Sequence, residues 1–165
     1  MALTLADFLA QAIALEGEAA ERYLELTRIM EEYDNTDTLA VFKEMYRLSQ
    51  IHFEEVRARA GSTPLPKLNA WQYRWSIPSR IGGSEMDASM TPYEALRYAR
   101  DNEVRAMEFY RAAAIEAEDA EVRRLAGEFA EEEAEHVAGL DTWISRTPRP
   151  IVTWREDPDL DKSRD

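Results

Sequence analysis

The sequence predicts an all-α chain, a four-helix bundle with a long crossover connection between helices two and three. Three observations predict it. Apolar residues recur at helical spacing over four stretches of about 25–30 residues. Start and stop signals separate those stretches. One long segment rich in proline, glycine and aromatics divides them into two pairs.

Helix one is expected from about Thr4 to Glu32. Thr4 and Asp7 can cap its start, and Phe8, Leu9, Ala12, Glu16, Ala20 and Tyr23 share a face. The turn Asp34-Asn35-Thr36-Asp37 ends it and offers a cap to helix two, which runs to about Ala60 and stops at Gly61. The connection from Ser62 to Met90 carries Pro64, Pro66, Pro78, Gly82 and Gly83, with Trp71, Tyr73 and Trp75 close together. Loops that long are uncommon in compact domains unless they have a task. Parallel second and third helices would supply one, since the chain must then travel the length of the bundle. The aromatics would seal the crossover to the bundle side or to a second subunit. Helix three opens on Thr91-Pro92-Tyr93-Glu94, a capping box with proline at the first helical position, and continues to about Glu118. Asp119 can cap helix four, which runs to about Arg146 before Pro148 and Pro150. The bundle therefore takes residues 1–146. A tail, 147–165, is polar apart from Ile151, Val152 and Trp154, and its end is expected to be mobile.

Composition narrows the function. The 165 residues suffice for one core. With 33 acidic against 20 basic side chains the net charge is −13, which disfavours nucleic acid and anionic membrane as partners. There are no cysteines, so disulfides, thiolate metal sites and cysteine nucleophiles are excluded. The N-terminus does not read as a secretory signal, and no stretch reaches about 18 apolar residues. The expected setting is cytoplasmic.

The chemistry lies in a repeat. Glu16-Gly17-Glu18-Ala19-Ala20-Glu21-Arg22-Tyr23 matches Glu103-Val104-Arg105-Ala106-Met107-Glu108-Phe109-Tyr110, with Glu, Ala, Glu and Tyr at equal offsets. Each repeat is followed by one of the two histidines, His52 and His136, and His136 closes the Glu-x-x-His set that begins at Glu133. A lone glutamate on an acidic helix usually faces solvent, and the matched order is what carries the inference. A Glu from each of two helices and Glu-x-x-His from the other two is the ligand pattern of a dinuclear carboxylate site in a bundle. Glutamate with neutral imidazole suits iron, manganese or zinc. The candidate ligands are Glu16, His52, Glu103, Glu133 and His136. A sixth is missing, because Ser49 stands where the first Glu-x-x-His should begin. Three carboxylates cannot neutralise two divalent ions. An inward Glu132, a hydroxide or an exogenous carboxylate would make up the difference. Tyr23 and Tyr110, two turns beyond Glu16 and Glu103, are placed to hold a carboxylate.

At these residues the sequence resembles the rubrerythrin-like branch of the ferritin-like superfamily, over about residues 5 to 145. The resemblance implies a ferritin-like bundle with a di-iron site that reacts with peroxide or dioxygen, as a peroxidase or oxidase. It implies iron as the cofactor, two ions if the site is intact, with manganese or zinc as the other candidates. Three departures accompany it. Ser49 replaces a ligating glutamate, Ala106 stands where a further acid is usual, and no cysteine-ligated rubredoxin module is present. Any electron donor is then an external partner. The alternative is a redox-silent metal-handling module, or a structural bundle with a degraded site. The aromatic connection and Trp154 suggest a homodimer.

Overall fold

Thr4 and Asp7 form the expected reciprocal cap and open helix α1, Leu5–Glu32. The computed structural model describes residues 3–75 and 87–151. Pro78, Gly82 and Gly83 of the connection, and Val152, Trp154 and the end of the tail, lie outside the described residues. Helix α2 is Thr36–Ala60, capped by Asn35 and ended at Gly61, whose φ of 53° is one that glycine adopts without strain. Helix α3 is Pro92–Glu116, opened by the Thr91–Glu94 box. Helix α4 is Ala120–Ser145, with the Asp119 carboxylate accepting from the amides of Glu121 and Val122. Only α3 departs from the sequence reading, ending two residues earlier than expected. Asp119 draws the chain into its cap, and Ala117 becomes extended. Among the described residues there is no strand, and no helix is long and apolar enough to cross a membrane.

The chain is an all-α four-helix bundle made of two hairpins, α1–α2 and α3–α4. Packing within each hairpin is much closer than packing between them. Large rings fill the wider gap. Phe8 of α1 meets Tyr110 of α3 and Phe129 of α4 at one end. Tyr23 of α1, Phe42 of α2 and Tyr98 of α3 meet at the other.

Helices α2 and α3 run parallel, as the long connection requires. The Asn35 amide donates to the carbonyls of Ala88 (3.0 Å) and Met90 (2.9 Å), and the buried Thr38 hydroxyl donates to Met90 (2.7 Å). The starts of both helices therefore lie at one end of the bundle. Asn35 caps α2 with the same side chain that anchors the crossover. Asn35→Ala is expected to destabilise the fold by about 1–2 kcal/mol. Urea unfolding should show a lower midpoint at unchanged slope, and an unchanged midpoint would count against the anchor.

Partway along, the crossover lies on α1. Gln11 donates to the carbonyl of Gln72 (2.8 Å) and accepts from the amide of Arg74 (3.3 Å). Tyr73 stacks on Trp75 (4.3 Å between centroids), and Trp75 meets Phe109 edge-on (5.6 Å). Trp75 thus seals the connection to the bundle, whereas Trp71 is 82% exposed.

Candidate metal centre

The core is not continuous. One apolar cluster joins the start of α1, the end of α2, the end of α3 and the start of α4. A second joins the opposite ends. Between them lies a polar layer made of Glu16 from α1, Ser49 and His52 from α2, Glu103 from α3, and Glu133 and His136 from α4. Burial there is nearly complete, with exposures of 5% for Glu16, 9% for Glu103, 6% for Ser49 and 2% for Glu133. Ionised carboxylates so placed cost several kcal/mol each unless they are paired. Propensity and core packing give no reason for them.

The pairing centres on Glu133. Helical spacing of three puts it on the same face as His136. His52 Nδ1 lies 3.3 Å from Glu133 Oε1 and 3.9 Å from Glu16 Oε2. His136 Nδ1 lies 3.0 Å from Glu103 Oε2 and 3.5 Å from Glu133 Oε2. The imidazole rings are 4.5 Å apart. The Tyr110 hydroxyl donates to Glu16 Oε1 at 2.6 Å, the role expected of it. Tyr23 is equally buried but differs, since its hydroxyl accepts from Asn102 (3.3 Å). Gly17 lets α1 and α2 approach here, because a Cβ would stand 3.1 Å from the Phe53 ring.

The titration of the layer follows from this geometry. Burial, then the neighbouring charge of Glu133, raises the Glu16 carboxyl to about 8 and the Glu103 carboxyl to about 7. Burial would raise Glu133 too, but the nearby His136 and His52 imidazoles and the Glu103 carboxyl hold it down at about 2. Bonds to Glu103 and Glu133 lift His136 to about 10. Burial works against a charge on His52, and its contacts with Glu133 and Glu16 override that to give about 9. Without metal, the layer is thus balanced by protons on its histidines.

A sign follows for stability. Both imidazoles have raised values, so their contribution is complete below about 6.5 and is lost as pH rises through 9 to 10. Glu16 and Glu103, also raised, disfavour the fold increasingly as pH climbs from about 4.5 to about 8 and 7 respectively, where their effect is complete. Glu133, lowered, acts only in acid, its contribution lost as pH falls from about 4.5 towards 2. Metal-free protein should therefore lose thermal stability steadily from pH 6 to pH 10. Metal must displace the same protons, so the gap between loaded and metal-free melting temperatures should widen over that range. A gap independent of pH would mean that metal binds elsewhere.

The donor set fits a metal. His52, Glu133 and His136 offer ligand atoms that lie within 4.8 Å of one another. Glu133 Oε2 is buried and has no hydrogen-bond partner, since 3.5 Å to His136 is too long for a well-formed bond. A bare carboxylate oxygen beside the His136 imidazole is a ready ligand. Glu16 and Glu103 complete the five candidates, each brought within reach of one of the histidines. Ser49 is confirmed in the layer, so the sixth position carries a hydroxyl and no charge. Glu132 is half-exposed. It forms a separate group with His52 and the exposed Glu55.

The layer also opens to one side. A cavity of about 50 Å³ is lined by Glu16, Ser49, His52, Glu103, Glu133 and His136 together with Ala19 and Ala106. Its outer wall holds Glu18, Arg22, Asn102, Arg105 and Trp75. Sequence reasoning singled out Trp75 but missed Glu18, Arg22, Asn102 and Arg105 as lining residues, because polar side chains at those positions read as a solvated face. Their one signal is proximity in sequence to Glu16 and Glu103. Arg22 Nη2 pairs with Glu18 Oε1 at 3.6 Å, and Arg105 bonds the Asn102 side-chain carbonyl.

No family model and no curated protein matches this chain. Among solved structures, it is similar to an uncharacterized conserved protein from Magnetospirillum magnetotacticum MS-1. The two are 55% identical, the match covers 92% of this chain and all of the other, and the TM-score is 0.75. Identity at that level over a whole chain places this protein in the same family, that of the Magnetospirillum uncharacterized conserved protein.

Proposed function

We propose that this protein is a ferritin-like, rubrerythrin-like metalloprotein whose buried layer binds iron, two ions when complete, and that it acts on peroxide or dioxygen with electrons from an external donor. One observation carries the reading. Five donors from four helices converge on a single buried layer, and one carboxylate oxygen there is left without a partner. When bound, a pair of redox-active ions supplies electrons to an oxygen substrate. The chain's own residues prepare the place. Glu133 turns one oxygen towards each histidine and would hold metal together with both. Tyr110 fixes the rotamer of Glu16. The cavity beside these residues, with Trp75 in its lining, has room for a small molecule.

The test is metal content per chain, by mass spectrometry, on protein purified without chelator or affinity tag. About two irons with reversible redox support the reading. No metal, even after reconstitution with ferrous iron, overturns it.

A second reading is favoured by Ser49, namely a redox-silent module that binds or hands on a single ion. Three carboxylates match one divalent ion better than two. One tight, redox-silent metal per chain would select it. The exposed Trp71 supports a homodimer in either case. A light-scattering mass of one chain would remove the dimer.

A further inference from the structure

We propose that the chamber beside Ser49 binds a small monocarboxylate of formate or acetate size, which passes Arg22 and Arg105 and supplies the carboxylate that Ser49 lacks. The proposal rests on the metal reading above. Its first support is the deficit. Glu16, Glu103 and Glu133 bring three negative charges to a layer built for two divalent ions, and the fourth position holds a neutral hydroxyl. The second is space. The chamber reaches Ser49 from outside, and a formate or acetate ion has about the bulk that separates a serine from a glutamate side chain. The Ser49 hydroxyl can donate to such a guest.

The third is the wall. In a chain of net charge −13, two half-buried arginines, Arg22 and Arg105, line this cavity alongside its acids. Glu18 offsets one of them through its contact with Arg22, and Arg105 bonds the neutral Asn102 side chain. A guanidinium favours carboxylates by charge and by its paired donors. A cavity of about 50 Å³ has room for an acid of this size and not for much larger ones.

The experiment is an anaerobic calorimetric titration of chelator-stripped protein with ferrous iron, in a non-coordinating buffer, with and without millimolar acetate. In the wild type, acetate should raise the bound iron from one to two per chain, or tighten the second ion by about tenfold or more. Ser49→Glu should take two irons without acetate and ignore its addition. Arg105→Gln should still bind iron but need about tenfold more acetate. Iron binding in the wild type that acetate leaves unchanged overturns the proposal, and so does an acetate response retained in Ser49→Glu. Should that variant fail to fold, a wild-type acetate response in Arg105→Gln decides the matter in the same direction. Iron binding to none of the proteins would remove the metal reading itself, which is a different result from iron binding without an acetate effect.

Discussion

Glu133→Ala is expected to strip the protein of metal and to lower the titration of both histidines, that of His52 the more, because Glu103 still holds His136. Glu133 is the one carboxylate within reach of both rings, 3.3 Å from His52 and 3.5 Å from His136. Losing ligands' supporting partners costs roughly 10–100-fold in metal affinity, and losing this shared ligand should cost about 100-fold or more. In metal-free protein, removing one partner of a buried ion pair can cost about 3–5 kcal/mol. The loss here should be nearer 2 kcal/mol, because each histidine keeps some solvent contact and can shed its proton. Proton NMR titration of the two imidazoles is the check. Both values should fall from about 9 and about 10, with His136 kept above its ordinary value by Glu103. Unmoved values would mean that Glu133 is not what holds the charge.

Ser49→Glu should have opposite effects with and without metal, which makes it more discriminating than a simple loss. It restores the fourth carboxylate to the layer, and metal affinity should rise by about tenfold or more. Without metal it adds a further acid at a site only 6% exposed, beside three carboxylates. That should destabilise the stripped protein by about 2–3 kcal/mol, or roughly 5–10 °C in melting temperature. Thermal unfolding of stripped and loaded samples, side by side, reads both. If neither changes, residue 49 does not face the ions, and the equivalence of helix two with helix four is wrong.

The helices were legible because their ends carry chemical punctuation. Thr4, Asn35, Thr91 and Asp119 are all caps in the structure. The parallel course of α2 and α3 was legible too, since no shorter path than a crossover joins opposite ends of a bundle. The ligand candidates came from matched spacing, a property that survives folding because helical geometry is regular. Repeat logic reached its limit with the tyrosines. It treats Tyr23 and Tyr110 alike, yet only Tyr110 bonds a candidate ligand, because Asn102 occupies the Tyr23 hydroxyl. The chamber wall was hidden for a related reason. Arg22, Asn102 and Arg105 stand at positions where polarity alone cannot separate open solvent from the rim of a cavity. That distinction depends on where Trp75 comes to rest, and a long connection does not announce its path.

Backbones approach closely within each hairpin, whereas the two hairpins meet across a wider gap through large side chains. A metal ion held from all four helices would act as a rivet through the seam between them, tying Glu16 to His136 across most of the chain's length. Its gain in stability would come from closing that long loop, a cost that grows slowly with length once met. Its removal would leave each hairpin intact and let the halves breathe apart. Amide exchange should then quicken in register along the facing sides of α1 and α3, while the α1–α2 and α3–α4 contacts stay protected. The bundle would in effect read its own occupancy through the tightness of one joint.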